Sequence, residues 1–225
     1  MAENIARVFG AAVAADPTRP LLTWYDDETG ERTELSGATC ANWVAKTGNL
    51  LVDAIGLGPD DRAGVLLPPH WQTAVVLLGC WSAGLTVATS PGPVDVLFAA
   101  ADRVAEAGDW PADERYAFAL APFAAPLREV PPGFADFVVE VRGQGDHFTP
   151  YPTGAEVVAR ARQRAAELGL GPGDRVLIDA ALHPDPVDWL LAPLTVRASV
   201  VLCGRLDPAR VADRRATEKV TVSLT

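Results

Sequence analysis

Apolar residues along this chain follow two alternating rhythms. Helix-like spacing of three and four positions runs through 3–15, from Ser36 to about Ile55, from about His70 to Ala83, and across 154–168. In the second of these, Cys40, Trp43, Val44, Leu50, Leu51 and Ala54 form one apolar stripe, with Ser36 placed to cap its start. Between the helices stand short apolar runs bounded by Gly, Pro and Asp: RAGVLLP, LTVATS, RVLIDAA and ASVVLC. These predict buried strands. Pro17 and Pro20 stop the first helix, and LLTWYDDETGERTEL then reads as a hairpin turning over Asp26–Gly30.

The rhythms repeat as a unit. GLGPDDR at 56–62 returns as GLGPGDR at 169–175, and each copy leads into a strand, a helical stretch and a second strand. The second helical stretch spans about Asp185 to Val196. Such a series sets its two strands parallel, joined by a crossover helix. A glycine loop that binds a dinucleotide leaves a strand and opens a helix, so that the helix N-terminus meets the pyrophosphate. Both copies do the reverse. They are helix-to-strand connectors, with Gly58 and Gly171 expected to carry the backbone constraint.

Residues 91–150 are less regular. A strand and short helix are expected in VDVLFAAADRVAEAG, a strand in RYAFALAPF and another in FADFVVEVR, with proline-rich joints between them. A helix near 207–216 and a strand in KVTVSLT complete the series. The prediction is an α/β fold of two similar βαβ sublobes with a mostly parallel, doubly wound sheet. The joint at 143–154 separates a first sublobe, 1–145, from a shorter second one, 146–225, unless the two close into one compact domain.

Composition narrows the function. A formal net charge of −10 over 225 residues argues against nucleic acid or an anionic membrane as partner. Only Lys46 and Lys219 among the 19 basic residues are lysines, an arginine bias that, with abundant alanine, points to a GC-rich bacterial genome. Cys40, Cys80 and Cys203 lack metal-ligand spacing and read as reduced, buried thiols of a cytoplasmic protein. Glu3, Arg7 and Asp16 interrupt the N-terminal apolar residues, so no signal peptide is expected. The longest apolar stretch, around Ala74–Leu78, is far short of a membrane span.

Few residues carry chemistry by pattern. His70 in PPHW and His183 in ALHP each follow a predicted parallel strand, where α/β proteins collect their sites. Asp185, with Asp188, stands near enough to His183 to form a polar cluster, or else serves the acidic start of a helix. His70, His183 and Asp185 are therefore the ligand-binding candidates, with a plain helix-start role as the alternative. No nucleophile elbow, zinc motif or Walker loop occurs, so no catalytic residue, metal or cofactor is predicted.

The order of elements resembles the adenylate-forming superfamily of acyl-CoA synthetases, nonribosomal adenylation domains and luciferases. Leu35, Gly58, Asp61, Arg62, Pro69, Ala83, Gly84 and Pro91 carry the resemblance in the first half. In the second, GPGDRVLIDAALHPDPVDWLLAPLTVRASVVL is similar to a later family segment whose histidine matches His183, and TEKVTVSL to the strand that follows. The resemblance implies two similar βαβ sublobes, which accounts for the duplicated connector. It also implies a phosphate loop rich in Ser, Thr and Gly, ending Pro-Lys-Gly, between about 140 and 155. This chain has VRGQGDHFTPYPTGAE there, with no lysine and no run of hydroxyl residues. The family's adenine- and ribose-binding motifs, hinge and catalytic-lysine domain are also unmatched. The expectation is a truncated, non-catalytic relative that acts as an interaction or regulatory module. A binding protein for acyl or nucleotide groups, or one half of a split enzyme, is the alternative. The KVTVSLT strand, alternating Val220, Val222 and Leu224 with Lys219, Thr221 and Ser223, is expected to join a homodimer or hold a protein partner.

Overall fold

The computed structural model describes residues 3–88 and 90–225. Met1, Ala2 and Thr89, the last within the strand expected over 85–90, lie outside the described residues. Helix α1 (Ile5–Ala15) starts where Asn4 Oδ1 accepts the Arg7 amide at 2.9 Å. The hairpin follows as β1 (Pro20–Asp26) and β2 (Glu31–Ser36), paired antiparallel. Ser36 Oγ accepts the Thr39 amide at 3.1 Å and opens α2 (Gly37–Asn49), which runs on as a π-helical turn over Leu50–Ala54. Next come β3 (Arg62–Leu66), α3 (Trp71–Ser82), β4 (Thr86–Ala88), β5 (Val96–Ala100), a 3₁₀ stretch (Ala101–Asp109) and β6 (Glu114–Phe118). After β7 (Ala135–Asp136) stand α4 (Phe137–Arg142), α5 (Ala155–Glu167) and β8 (Arg175–Asp179). A π-helical turn (Val187–Leu191) leads through α6 (Ala192–Thr195) to β9 (Ser199–Cys203), α7 (Val211–Thr217) and β10 (Val222–Leu224).

One expected strand is a helix. FADFVVEVR forms only the two-residue β7 before turning into α4. Asp136 Oδ1 accepts the amides of Val138 at 2.8 Å and Val139 at 3.2 Å, an N-cap that overrides the β preference of three valines. Phe137, Val138 and Val141 are then buried on one helical face, and Val139 is left exposed.

The chain forms two compact units, one of residues 1–41, 69–74 and 154–225, the other of 42–68 and 75–153. They interleave along the sequence, and so do not follow the sequential division expected at 145/146. The reason lies in one pairing: Leu22 to Tyr25 of β1 run parallel to Val200 to Cys203 of β9, so the first hairpin joins the sheet built by the last third of the chain.

The sheet of the first unit has the order β10-β8-β9-β1-β2, parallel except for the hairpin. Its β9 is buried along its whole length, as expected of a strand covered on both faces. Leu177, Val201 and Cys203 face a layer that includes Val211 of α7. On the other side α6 packs against β9, with α1 and α5 beside it. The sheet of the second unit is fully parallel, in the order β4-β3-β5-β6-β7. Its core holds Leu66, Val94, Leu97, Ala99, Ala107 and Trp110, with Phe118 and Phe137 stacked at 4.4 Å nearby. The fold is α/β, built on two similar, mostly parallel βαβ modules.

Candidate functional site

The repeated connectors are structural, and their constraint sits beside the expected positions. Gly56 and Gly169 end their helices with φ of 74° and 69°, and the left-handed turn residues are Asp60, at 82°, and Gly173, at 80°. Gly58 and Gly171 are not left-handed. Their amides are instead held by the turn's own carboxylate, Gly58 by Asp61 at 2.8 Å and Gly171 by Asp174 at 2.6 Å. Asp therefore belongs in both copies as an Asx-type lock on the turn.

His70 is buried at 3% exposure and precedes α3. Its Nδ1 accepts the Gln72 amide at 3.1 Å, which places the ring proton on Nε2. Among the described residues Nε2 has no hydrogen-bond partner, nor do the two amide atoms of Gln72, itself 1% exposed. Trp24 meets the imidazole edge-on at 4.6 Å. Burial pushes the His70 pKa down to about 3, so the ring stays neutral at ordinary pH. A buried neutral ring against tryptophan is a packed group, and its contacts among the described residues, with Trp24, Trp71 and Gln72, include neither His183 nor Asp185.

Of the expected polar cluster, His183 meets Asp188 rather than Asp185, and Asp188 is anchored by a residue that the spacing did not reveal. His183 Nδ1 lies 3.2 Å from Asp188 Oδ2, and Arg164 of α5 grips the same carboxylate through Nε at 2.7 Å and Nη2 at 3.0 Å. The guanidinium holds the Asp188 carboxyl below the usual carboxylate range. Asp185 Oδ1 caps the Val187 amide at 2.8 Å, the helix-start role foreseen as the alternative. Asp185, Asp188 and Arg164 also line an open cavity of about 330 Å³ with Arg160 and Glu167. Arg164 had no sequence signal, because its partner lies 24 positions away on another element.

The segment 143–153, where the phosphate loop was expected, is held through its carbonyls. Lys46 Nζ donates to Arg142 O at 3.2 Å and Gln144 O at 2.5 Å, and pairs with Asp146 at 2.8 Å. Asn49 Nδ2 donates to Gly145 O at 2.7 Å and His147 O at 2.9 Å. Phe148 lies flat on Gly48 of α2, where any Cβ would come within 2.7 Å of the ring. The far end is tied by the Tyr151 amide to Ser82 O at 2.8 Å and by Thr153 Oγ1 to Trp81 O at 3.0 Å. Lys46 and Asn49 were not foreseen as a clamp. The rarity of lysine in so arginine-rich a chain was the one available hint.

A further surface feature stands in the second unit. Phe123 is 93% exposed and left-handed, with φ of 58°, between Leu120 at 49° and Ala124 at 50°. Arg142 Nη2 donates to Ala124 O at 2.9 Å, and Asp136 Oδ2 accepts the Leu127 amide at 2.6 Å, so the loop is held at both ends. Three non-glycine residues in that backbone region are a cost that a solvent-facing phenylalanine does nothing to offset. No helix among the described residues is long and apolar enough to cross a membrane.

Residues 9–92 match the AMP-binding enzyme family. The chain superposes on the acyl-CoA synthetase of Brucella canis with a TM-score of 0.76 over 99% of its length at 18% identity. It does so equally, at 22% identity, on acetoacetyl-CoA synthetase from Streptomyces lividans, with a TM-score of 0.76 over 99%. It spans 47% and 42% of those two chains, so the likeness is to about half of each. At such identities the likeness is one of fold. A protein of Mycobacterium tuberculosis (strain ATCC 25618 / H37Rv), described as a "TIGR03089 family protein", is 44% identical over 223 residues, covering 92% of both chains. Identity at that level across nearly all of both sequences establishes kinship: this chain belongs to the TIGR03089 family and carries the fold of the acyl-CoA synthetases.

Proposed function

We propose that this chain is a binding member of the adenylate-forming fold, an interaction or regulatory module that does not itself make an acyl-adenylate. Residues 143–153 carry the reading. A phosphate loop works by aiming free backbone N–H groups and a lysine at anionic oxygens. Here the segment spends its carbonyls on Lys46 and Asn49, and its own Asp146 neutralises that lysine. A triphosphate approaching this face meets a carboxylate and a cation already paired. Two surface features are suited to contact: the outer edge of β10, last in its sheet order, and the clamped Phe123.

Exchange of labelled pyrophosphate into ATP, with magnesium and a panel of carboxylic acids, tests the catalytic half of this reading. No acid-dependent exchange is expected, and robust exchange by the isolated chain overturns it. Light scattering tests the other half. Association that Leu224→Lys or Phe123→Ser dissolves supports it, and a monodisperse monomer at high micromolar concentration that cross-links to no partner removes it. One observation favours a second reading, small-molecule binding: the His183–Asp188–Arg164 chain beside its 330 Å³ cavity. Mass spectrometry of material released from the purified protein separates the two.

A further inference from the structure

The parallel strands β1, β8 and β9 of the first unit begin at Pro20, Arg175 and Ser199, with Thr221 just ahead of β10. At this end lies a groove of about 660 Å³, bordered by Arg19, Arg32, Arg175, Lys219, Glu34 and Glu218. It is distinct from the cavity lined by Arg164 and Asp188, with which it shares no residue.

The floor of the groove is a buried charge hub. The Glu218 side chain is 5% exposed and accepts from Tyr25 Oη at 2.6 Å, from Arg32 Nη2 at 3.0 Å and from Arg175. Arg175 is also spent on Thr23 Oγ1 at 2.9 Å and on the Glu218 carbonyl at 2.8 Å. With every strong donor aimed at it, Glu218 stays ionised, its pKa below the usual range despite burial. It holds both guanidinium groups in place.

The rim is different. Arg32 Nη2 reaches Glu34 at 2.5 Å, but no partner takes Arg32 Nη1 among the described residues. Among the described residues the Arg19 side chain donates only to neutral oxygens and at long range, to Gly173 O at 3.3 Å and Ser199 Oγ at 3.4 Å. Lys219 has no ion pair and no side-chain hydrogen bond among the described residues, and its backbone is left-handed, with φ of 53°. Two further carboxylates stand outside the lining: Asp16, within electrostatic reach of Arg19, accepts the Thr18 and Arg19 amides, and Asp174 is committed to Thr221 Oγ1 at 2.7 Å and to the Gly171 amide. Four cations thus border two carboxylates, in a chain whose formal net charge is −10.

We infer that this groove is a binding site for a phosphate dianion, free or esterified to a small molecule. Arg19 and Lys219 supply the uncommitted charge, Arg32 supplies a pre-oriented donor, and the Glu218 hub fixes the depth at which the anion stops. The surplus of two positive charges matches a dianion. The Glu218 carboxylate is buried and its charge is matched by Arg32 and Arg175, which weakens its repulsion of a phosphate oxygen. The overall negative charge of the chain lowers the background of non-specific anion binding.

Isothermal titration of the intact chain at low ionic strength with inorganic phosphate, glucose 6-phosphate and, as the neutral control, glucose tests this. Each is repeated on Arg19→Gln, Lys219→Gln and, as a remote control, Arg62→Gln. Both rim residues are exposed, and unchanged thermal melts confirm that their variants fold. The expected result is saturable binding of a phosphate probe, weakened about tenfold by each rim substitution and unaltered by Arg62→Gln. Tighter binding of glucose 6-phosphate than of phosphate assigns an esterified ligand, and equal binding assigns the free ion. Absence of binding by both probes, or binding that all three variants share equally, overturns the proposal.

Discussion

After the first connector, Arg62 leaves its guanidinium exposed and gives only its backbone amide to Asp95, at 2.7 Å. After the second, Arg175 stands at 11% side-chain exposure between Glu218, Thr23 and Ser199. The surrounding bonds are otherwise the same. The carbonyl of each arginine accepts the amide that begins the next parallel strand, Asp95 in one copy and Thr221 in the other, both at 2.9 Å. The side chains of those two residues accept the arginine amides in return. A nearly identical heptapeptide thus makes a solvated surface residue once and a charge hub once. The difference comes from the neighbours: the hairpin brings Thr23 and Tyr25 beside the second copy, and among the described residues no such hairpin joins the β4-β3-β5-β6-β7 sheet that holds the first.

The largest expected effect breaks that contrast directly. Arg175→Ala leaves the Glu218 carboxylate buried with half of its charge partners gone, and should cost about 3–5 kcal/mol in urea unfolding. Arg62→Ala should change stability by no more than about 0.5 kcal/mol. Equal losses for the two would mean that the hub adds nothing the surface arginine lacks.

A second test contrasts the histidines that follow the two first strands. His70 is neutral in the fold down to about pH 3, while in the unfolded chain it takes a proton near its ordinary 6.5. Between those values the unfolded state binds more protons, so stability falls as pH falls through the window. At pH 5 the loss is about 2 kcal/mol relative to neutral pH. His70→Gln should flatten this part of the stability profile, measured by denaturant midpoints from pH 7 to 4.5. His183→Gln retains His70 and its slope.

The smallest effects sharpen the account of the connectors themselves. Gly56→Val and Gly169→Val force a β-branched residue into the left-handed region and should each cost about 1–2 kcal/mol in thermal melts. Gly58→Val, with ordinary φ and open space around it, should cost much less. Asp60→Gly copies the second connector into the first, and should gain less than about 1 kcal/mol. A loss at Gly58 as large as at Gly56 would return the constraint to the position first expected from the sequence.

Much of the architecture was legible because it is local. Apolar periodicity located α1, α2, α3 and α5, and the turn residues of Asp26–Gly30 marked the hairpin between β1 and β2. Alternation failed at FADFVVEVR, where one aspartate cap outweighed valine propensity. At the candidate site, the proximity of His183 to Asp185 and Asp188 was visible in the spacing, but the arginine that anchors Asp188 was not. His70 looked like its counterpart by position and differs from it by burial. That is a property of what packs around a residue, here Trp24 from 46 positions upstream.

By itself, the sequence determined the α/β element series, the duplicated connector, the acidic net charge and the absence of lysine and of a run of hydroxyl residues over 143–154. Each follows from interactions spanning a few residues or from composition. Only the tertiary structure decided that the first hairpin belongs with the last third of the chain, that Lys46 and Asn49 bind down the segment 143–147, and that Arg175 rather than Arg62 is the hub. Those outcomes rest on hydrogen bonds between residues 96, 152 and 193 positions apart, as in Lys46 to Arg142, Arg175 to Thr23 and Tyr25 to Glu218. No local pattern encodes such bonds, because their partners meet only after the sheets have formed.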